Sequence, residues 1–403
     1  MKLVLKFDQM KKGSIAIVGT GPAALMAGTV LVENGFDVQF FDHKKAPARK
    51  FLVAGHGGFN LTNAEELESF CAKYDSELIK NAVRFFTPQH FIAFLAKIGI
   101  ETYVGSSGKI FPKKGVKPIE VLNAWLNYLT DKGAVFHFEY KLVDLSETHL
   151  VFETKQERLT INAKATIFAL GGGSWQQTGS LGDWFELFEK MNVQCIPFES
   201  SNSGLVLDVK FLDKELEGGI IKNCCLFSSE YSKLGDVVLT RYGLEGAPAY
   251  AMNRDYRNGH KICIDFKPSM NESDIVNRLC KAKNISEGLK SLKLSKIAIH
   301  WIKNAVSKED YLNAEKMATL IKSFELPVVG LRPIDEVIST VGGIALDEIN
   351  ADFELIKLHN FFCIGEMLDW DAPTGGYLIQ GAVSTGAKAA HSIILNLDRC
   401  AVS

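Results

Sequence analysis

Short apolar runs alternate with longer helical patterns in the first part of the chain and predict an α/β fold. Ser14-Ile-Ala-Ile-Val18 is an uninterrupted apolar run, short enough for a strand that a parallel sheet buries on both faces. A stretch rich in Ala, Leu, Met and Val continues to Asn34, and Gly35 stands where a helix would end. Residues 37–42 predict a second strand. These elements together form one βαβ unit.

Further elements of the same kind follow. Apolar residues near a period of 3.6 predict a helix over 81–99, and a second helix is expected over 121–129. Strands are expected over 134–140 and 165–170. We expect the aromatic residues of the first of these helices to lie in the core.

The pattern changes after Pro197. Short alternating runs at 204–209, 237–241 and 261–266 predict a small antiparallel unit, and residues 271–324 predict helices. The tail returns to the α/β style, with a strand over 361–364 and a long helix from Tyr377 towards residue 396. We therefore predict a Rossmann-like domain of the glutathione-reductase type in two parts, 1–194 and 336–403. The insert between them covers 195–335, β-rich over 195–270 and helical over 271–325.

The turn after the first strand, Gly19-Thr-Gly-Pro-Ala-Ala24, indicates a dinucleotide-binding site. Gly19 permits a tight turn, Gly21 lets the backbone approach a pyrophosphate, and Ala24 replaces the third glycine of the motif. The helix that begins at Pro22–Ala23 presents free N–H groups to the phosphates.

Asp42 ends the second strand, at the position where a carboxylate binds the ribose of the adenosine. A carboxylate there repels a 2′-phosphate. Four nearby cations could offset that repulsion, so charge alone does not exclude NADP. They are Lys44, Lys45, Arg49 and Lys50.

Two later glycine-rich stretches extend this pattern. Three glycines in four positions, Gly55 to Gly58, precede Asn60 and suit a loop that lies against a ligand. A second turn, Gly171-Gly-Gly173, follows the strand over 165–170, at the carboxyl end where open α/β sheets bind ligands.

Composition limits the alternatives. The 403 residues have 47% hydrophobic residues and 45 Lys and Arg against 47 Asp and Glu, a net charge of −2. This length suggests two or three domains, and the balanced charge makes a nucleic-acid partner unlikely, although a local basic patch remains possible. The longest apolar run, Ala23–Val32, has about half of the roughly 20 residues that a membrane span needs. Residues 1–9 do not resemble a signal peptide, and Met10 is an alternative start.

The eight cysteines are scattered and lack the spacing of metal ligands, so we expect no metal site and reduced thiols in a cytoplasmic protein. A redox pair at Cys224–Cys225 is the alternative, although adjacent cysteines rarely reach disulfide geometry.

Several fragments that run through nearly the whole chain are similar to one family. They are Gly19–Ala24, Ala48–Asn63, Ala169–Gly173, Thr178–Asp183, Leu239–Gly246, Thr340–Ile344 and Gly365–Gln380. In this order they resemble the BaiN-like (YhiN-type) FAD-dependent oxidoreductases, among the two-dinucleotide-binding-domain flavoproteins. Gly58-Phe-Asn60 and Gly375–Gln380 depart from the residues of many members. The chain therefore resembles a less characterised branch, and the resemblance alone does not assign to it the bile-acid enoyl reduction associated with the family name.

The resemblance implies an FAD site that the tail completes. It assigns the pyrophosphate to Gly19, Gly21, Pro22, Ala23 and Ala24, and the adenosine to Asp42, His43 and Leu142. Arg49, Lys50, Phe51, Gly57, Gly58, Asn60, Leu61 and Thr62 would line the cofactor, together with Ala169, Gly171 and Gly172. Gly365 and Glu366 would face the ribityl chain, and Gly376, Tyr377 and Leu378 the flavin ring. A helix that starts near Tyr377 would direct its positive end at the ring and stabilise the anionic reduced flavin.

The function expected from this pattern is hydride transfer between a nicotinamide or another donor and a small organic substrate through flavin N5. NADH or NADPH would bind transiently, because no second glycine fingerprint is present. Candidate catalytic groups are Tyr377, Asp371, Arg241, Tyr242 and His56, each with a structural role as the alternative. We expect the substrate groove between the insert and the flavin ring.

Two other functions remain open. One is an RNA-modifying flavoprotein, for which the sequence offers only a local basic stretch. It consists of Lys109, Lys113, Lys114 and Lys117. The other is a flavin-binding protein without turnover. The substrate and the oligomeric state are not indicated by the sequence.

Overall fold

The computed structural model describes residues 14–53, 59–179 and 182–402. The chain forms two compact units. Unit 1 contains Met1–Glu199 and Ile338–Ser403, and unit 2 contains Ser200–Val337. The sequence pattern placed the insert at 195–335, so the chain crosses between the units a few residues after each expected position.

The centre of unit 1 is a parallel sheet of five strands. They are β1 (Ile15–Val18), β2 (Val38–Asp42), β6 (Val135–Phe138), β10 (Ala165–Phe168) and β20 (Phe361–Cys363), in the order β20-β10-β1-β2-β6. Val18 pairs with Phe168, and Phe168 pairs with Cys363. Because these last residues are in register, the turns that follow β1, β10 and β20 lie side by side at one edge of the sheet.

In the described part of unit 1, eight α-helices accompany this sheet. They are α1 (Pro22–Glu33), α2 (Arg49–Val53), α3 (Leu67–Cys71), α4 (Glu77–Phe85), α5 (Pro88–Lys97), α6 (Pro118–Asp131), α7 (Phe185–Glu189) and α15 (Tyr377–Val402). Helices α1 and α15 pack so closely that a Cβ on Gly386 would lie 2.2 Å from the backbone oxygen of Ala23. The last helix of the chain is therefore fixed against the first.

Smaller antiparallel sheets complete unit 1. The strands β3 (Thr62–Asn63), β4 (Thr102–Val104) and β5 (Lys109–Pro112) pair in the order β3-β5-β4. The strands β7 (Lys141–Leu145), β8 (Leu150–Glu153) and β9 (Arg158–Ile161) form a meander. The strand β11 (Cys195–Ser201), in which the chain leaves unit 1, pairs with β19 (Ser339–Ile344).

The prediction of one continuous helix over 81–99 is wrong, because two helices cover this range. Helix α4 ends at Phe85 and α5 begins at Pro88, with Thr87 as the N-cap residue whose hydroxyl accepts from the backbone N–H of His90. Proline disfavours a helical conformation in the residue before it and suits the first turn of a helix. The two helices share an apolar face, which is why the periodicity ran through the break.

Unit 2 has a seven-stranded antiparallel sheet with a separate core. Its strands are β12 (Leu205–Leu207), β13 (Ile220–Phe227), β14 (Ser232–Leu239), β15 (Gly243–Glu245), β16 (Cys263–Asp265), β17 (Phe324–Glu325) and β18 (Val328–Leu331). The order is β17-β16-β13-β14-β15-β12-β18. Two strands follow the helices in the chain and return to the sheet, where β17 pairs with β16 and β18 with β12.

The helices of unit 2 lie mostly between β16 and β17 in the chain. They are α8 (Ala247–Ala251), α9 (Asn253–Arg257), α10 (Glu272–Lys281), α11 (Ile285–Ser291), α12 (Lys296–Ala305), α13 (Lys308–Tyr311) and α14 (Ala314–Lys322). Apolar residues of these helices, such as Ile275, Leu279 and Ile297, are buried in the core of unit 2. The predicted fold class, a Rossmann-like α/β domain interrupted by an insert with antiparallel strands and helices, is confirmed.

Within the described ranges, no helix has the length and apolar character that crossing a membrane requires. The same residues contain no group of three or more His, Cys, Asp or Glu side chains arranged to hold a metal ion.

Candidate functional site

The glycine turn after β1 has the geometry that its sequence predicts. Gly19 has a φ of +109°, and a Cβ there would lie 2.3 Å from the backbone oxygen of Ala169. Both facts restrict this position to glycine. Gly21 differs, since a Cβ on it would meet no described atom within 4 Å, so the space in front of it is open.

Helix α1 starts directly at this open space. Gly21 is its N-cap residue and Pro22 occupies the first turn. Among the described residues, no side chain caps the helix and no acid lies in its first turn. The N-terminus of α1 is therefore suited to an anionic group.

The carboxylate of Asp42 is held in a fixed orientation beside the turn. The Thr20 hydroxyl donates to Asp42 Oδ2, and the backbone N–H of Lys44 donates to Oδ1 at 2.8 Å. Thr20 in turn accepts from the backbone N–H of Ala48 at 3.1 Å. Thr20 was not among the expected site residues. Its position inside the glycine motif was the available signal.

His43, the next residue, has an unusual nitrogen. Its Nε2 is the one buried side-chain N or O atom without a hydrogen-bond partner in the part of the chain that the structure describes. Burial lowers the pKa of His43 below its ordinary value of 6.5, and the charge of Asp42 offsets part of this effect. The ring is therefore neutral near pH 7. A buried polar atom without a partner is costly, and a nucleotide hydrogen-bonding at this nitrogen would remove that cost.

Lys50 connects the N-terminal and C-terminal parts of unit 1. Its Nζ donates to both carboxylate oxygens of Glu366, at 2.6 and 2.8 Å, and to Ser174 Oγ at 2.7 Å. The Lys50 and Glu366 side chains are only 27% and 21% exposed. The family resemblance assigned both residues to the cofactor site although 316 positions separate them.

The turn after β10 lies beside the same carboxylate. A Cβ on Gly172 would be 2.3 Å from Thr340 Oγ1 and 3.0 Å from Glu366 Cδ. The backbone N–H of Thr340 donates to Glu366 at 3.3 Å, and Thr340 Oγ1 accepts from the N–H of Gly173 at 3.0 Å. A side chain at position 172 would push against Thr340 first and then against Glu366, so glycine preserves their hydrogen bonds.

The turn Gly365–Met367 after β20 lies against the first turn of α1. A Cβ on Gly365 would lie 2.9 Å from the Cβ of Ala23. The N–H of Gly365 donates to Thr385 Oγ1 at 3.0 Å, and its oxygen accepts from Trp370 Nε1 at 2.8 Å. The glycine turn after β1 and the turn at Gly365 thus lie against each other.

Gly375 and Gly376 form a corner directly before α15, and close contact with the backbone of Thr62 fixes it. Gly376 has a φ of +102°, and a Cβ on it would lie 2.4 to 2.6 Å from the backbone of Thr62. The Thr62 hydroxyl donates to Gln380 Oε1 at 2.8 Å. Lys109 also lies at this corner, where a Cβ on Gly375 would lie 3.6 Å from the Cε of Lys109. The sequence pattern had placed Lys109 only in a basic loop.

Tyr377 is buried and engaged in the corner. Its hydroxyl donates to Glu65 Oε2 at 2.7 Å, and its ring packs on Phe70 at 4.6 Å between centroids. Its backbone oxygen accepts from the hydroxyl of Tyr74 at 2.6 Å. These contacts anchor the start of α15, and a proton-donor role for Tyr377 stays a prediction.

The other expected cofactor residues occupy varied positions in unit 1. Arg49 is exposed at the start of α2, Phe51 is buried against Phe59, Leu61 is buried, Asn60 and Leu378 are half-buried, Leu142 is buried in β7, and Ala169 and Gly171 follow β10. Gly57, Gly58 and the candidate His56 lie outside the described residues.

The remaining catalytic candidates divide between the units. Asp371 is buried in unit 1, where its backbone N–H donates to Asp75 at 2.9 Å. Arg241 is exposed in unit 2. Tyr242, also in unit 2, donates its hydroxyl to Glu245, and Arg332 stacks on its ring at 4.0 Å. Burial, followed by the hydrogen bond to Glu245, raises the pKa of Tyr242 to about 12. The catalytic roles of these residues and the groove expected between the insert and the ring stay predictions.

Comparisons with known proteins give relatives that span nearly the whole chain. A ribosomal RNA dihydrouridine synthase of Haemophilus influenzae is 23% identical over 398 residues, which cover 94% of this chain and 97% of the relative. A 3-dehydro-bile acid delta(4,6)-reductase of Clostridium scindens is 23% identical over 409 residues, covering 94% and 98%.

A solved structure has a similar fold. The 3-ketosteroid-delta4-(5alpha)-dehydrogenase of Rhodococcus jostii RHA1 superimposes with a TM-score of 0.51 at 11% identity, over 96% of this chain and 98% of that chain. The model of the HI0933-like protein Rossmann domain matches residues 13–392. The resemblance to BaiN-like oxidoreductases is thereby confirmed, and the chain belongs to the HI0933-like Rossmann-domain family.

Proposed function

We propose that this chain is an FAD-dependent reductase that uses a reduced nicotinamide to saturate a carbon–carbon double bond conjugated with a carbonyl group. The observation that carries this proposal is the contact of the Gly365 turn with the first turn of α1, which brings the C-terminal part of the chain to the turn expected to bind the pyrophosphate. The corner at Gly376, expected to contact the flavin ring, belongs to the same unit.

The residues of unit 1 fit FAD. The uncapped N-terminus of α1 and the open space at Gly21 suit the pyrophosphate, and Asp42 suits the ribose of the adenosine. The unpartnered nitrogen of His43 lies next to Asp42 and suits the adenosine end. FAD, when bound, supplies a carrier that accepts and releases a hydride.

The chain itself supplies charge and hydrogen bonds around this cofactor. Glu366, oriented by Lys50, suits the hydroxyl groups of the ribityl chain. The N-terminus of α15 and the cation of Lys109 lie at the corner expected to contact the flavin ring. A positive potential there stabilises an anionic reduced ring.

The substrate chemistry is inferred from two relatives. The 5,6 double bond of uridine, which a dihydrouridine synthase saturates, is conjugated with a carbonyl group, and so are the double bonds of a 3-oxo-4,6-diene. A shared site for such acceptors requires a hydride donor on one face and binding of the carbonyl oxygen. A small enone and a uracil base both belong to this class of acceptor, in which a carbon–carbon double bond is conjugated with a carbonyl group.

The test begins with purified protein reconstituted with FAD. We expect yellow flavin absorbance that is lost when NADH or NADPH is added without oxygen, and that returns on addition of an acceptor. The acceptors compared are a 3-oxo-4-ene steroid and ribosomal RNA that lacks dihydrouridine. A protein that stays colourless after reconstitution, or a flavin that neither nicotinamide reduces, would overturn the proposal.

A matched pair of variants connects the assay to the site. Asp42→Asn should weaken FAD binding, because the neutral amide binds the ribose hydroxyls less strongly than the carboxylate. Asp131→Asn makes the same chemical change at an exposed position of α6 and should leave FAD binding unaltered. Equal affinities in both variants would contradict the assignment of Asp42.

A second candidate function, reduction of uridine in ribosomal RNA, is favoured by the relative from H. influenzae and by local charge. In the basic stretch expected from the sequence, one of the four lysines is already paired, since Lys113 lies 2.7 Å from Glu101. A more basic region lies in unit 2. Appearance of dihydrouridine in the RNA, measured by mass spectrometry, would support this candidate.

A further inference from the structure

One segment of unit 2 carries a local charge that the balanced total conceals. Between Arg278 and Lys303 there is one acid, Glu287, and seven basic residues. The seven are Arg278, Lys281, Lys283, Lys290, Lys293, Lys296 and Lys303, and all are exposed. We call residues 278–303 the basic segment.

The cations of the basic segment are not neutralised by acids of unit 2. None of the seven forms a salt bridge among the residues for which side chains are described. Other lysines nearby are paired, as Lys322 is with Asp265 at 2.6 Å and Lys316 with Asp310. The difference indicates that the positive charge of the segment is available to a ligand.

Tight helix packing holds the segment together. A Cβ on Gly288 of α11 would lie 2.8 Å from Leu279 Cδ2 and 3.4 Å from Ala282 Cβ, so α11 packs directly on the end of α10. Lys296 and Lys303 are seven residues apart on α12, which places them on the same side of that helix.

Lys267 also lies near two cations of the segment, Lys293 and Arg278. Lys267 precedes α10, and its Nζ donates to the backbone oxygen of Lys293 at 3.3 Å. Burial, and then repulsion by Lys293 and Arg278, lowers the pKa of Lys267. Like charges held together cost free energy unless an anion offsets them. We call Lys267, Arg278 and Lys293 the basic cluster.

The apolar side chains of the same helices face inwards. Ile275 and Leu279 of α10, Leu289 of α11 and Trp301 of α12 are buried in the core of unit 2. A helix that lies in a membrane surface needs an exposed apolar face beside its cations. The basic segment lacks that face, which favours a ligand that is anionic throughout.

We propose that the basic segment and the basic cluster of unit 2 bind the phosphate backbone of RNA. Unpaired Lys and Arg side chains on one surface bind the regularly spaced phosphates of RNA without reading its sequence. The proposal rests on the second candidate function and deepens it, because it identifies the surface that would hold an RNA substrate of the flavin site proposed in unit 1.

The experiment measures RNA binding by the full-length protein without nicotinamide. The probe is a fluorescein-labelled stem-loop of ribosomal RNA, followed by fluorescence anisotropy over a series of salt concentrations. The test variant is Arg278→Glu with Lys293→Glu. The control is Lys114→Glu with Lys164→Glu, which makes the same change of charge at exposed positions of unit 1.

We expect the test variant to bind at least about tenfold more weakly and to lower the slope of log affinity against log salt by about 1 to 2. The control should stay within about twofold of the original protein. If the charge reversals prevent folding, Arg278→Gln with Lys293→Gln should weaken binding in the same direction.

Three results would overturn the proposal. One is no binding of the stem-loop by the original protein at low salt. Another is an equal loss of affinity in the test and control variants. The third is a test variant that no longer binds vesicles of phosphatidylglycerol but binds RNA as the original protein does.

These failures are distinct from failure of the proposed function. The anisotropy measurement needs no flavin and no turnover, and reduction of the flavin by NADH or NADPH needs no RNA. A yellow, reducible protein that does not hold RNA overturns only the RNA-binding surface. A protein that binds RNA but no FAD overturns only the reductase.

Discussion

Replacing Gly376 by alanine tests how closely the C-terminal corner approaches β3. Gly375 and Gly376 are adjacent and both have positive φ angles, +117° and +102°. Their surroundings differ. A Cβ on Gly376 would lie 2.4 Å from the backbone of Thr62, whereas on Gly375 the nearest contact is 3.4 Å, to the ring of Tyr377. Gly375→Ala is therefore a matched control for backbone strain without collision.

The expected magnitudes follow from these two terms. An alanine at an unfavourable positive φ costs about 1–3 kcal/mol, and both variants should lose that much free energy of unfolding. Forcing a methyl group into a filled site adds about 1–3 kcal/mol, and only Gly376→Ala has this addition. Gly376→Ala should therefore be about 1–3 kcal/mol less stable than Gly375→Ala. Because backbone rather than a flexible side chain must move, Thr62 should lose its hydrogen bond to Gln380.

The assay is guanidinium unfolding followed by tryptophan fluorescence. Four of the five tryptophans, Trp125, Trp175, Trp184 and Trp370, belong to unit 1, so the signal reports mainly the unit that contains the corner. FAD affinity is measured on the same variants by flavin fluorescence. Both quantities should fall further for Gly376→Ala.

Equal stability of the two alanine variants would refute this reasoning. It would mean that Gly376 does not lie against the backbone of Thr62, and that the corner at the start of α15 is more open than the structure has it. Loss of FAD affinity without loss of stability would instead separate cofactor contact from packing.

Two further predictions concern charge in unit 1. A double-mutant cycle of Lys50→Met and Glu366→Gln should give a coupling of about 1–3 kcal/mol in the free energy of unfolding, because the pair is largely shielded from water. The control cycle of Lys113→Met and Glu101→Gln should give a far smaller coupling, since those side chains are 66% and 72% exposed. Similar coupling energies in the two cycles would contradict a shielded Lys50–Glu366 pair. Without FAD, the free energy of unfolding should decrease as the pH falls below about 6.5, because burial lowers the pKa of folded His43 below its ordinary value of 6.5 and the unfolded state then binds more protons. His43→Gln should reduce that decrease, and an unchanged pH profile would show that His43 is not buried in its neutral form.

Local signals in the sequence were sufficient to predict those elements whose geometry depends mainly on residues nearby in the chain. The run Ile15–Val18, the glycine turn and Asp42 lie within one βαβ unit, and their geometry depends mainly on neighbours in the chain. The break at Pro88 was equally local but was missed, because an apolar face common to α4 and α5 preserved the helical period across it.

Residues that contact one another across the chain needed either family resemblance or the structure. The sequence alone offers no reason why Lys50 should meet Glu366, and the resemblance supplied it. The contact of Lys109 with the corner at Gly375 was not predicted at all, because β5 reaches that corner only by pairing with β3. A lysine in an exposed loop and a lysine beside the Gly375 corner have the same local pattern in the sequence.

The distribution of charge, too, could be predicted only in part from the sequence. The sequence contains every cation of the basic segment, but the total charge of −2 conceals this local excess of positive charge. The basic stretch that the sequence indicated, around Lys113, includes a lysine paired with Glu101. Which cations remain unpaired depends on tertiary packing.

The sequence by itself determined the class of fold, the position of the glycine turn after β1 and the family, because these depend on periodicity and on motifs of adjacent residues. Only the tertiary structure decided which glycines face backbone and which face open space, where Lys109 lies, and that Lys267 lies near Lys293 and Arg278. The physical reason is that these properties arise from distances between elements far apart in the chain, and local hydrophobic patterns do not contain those distances.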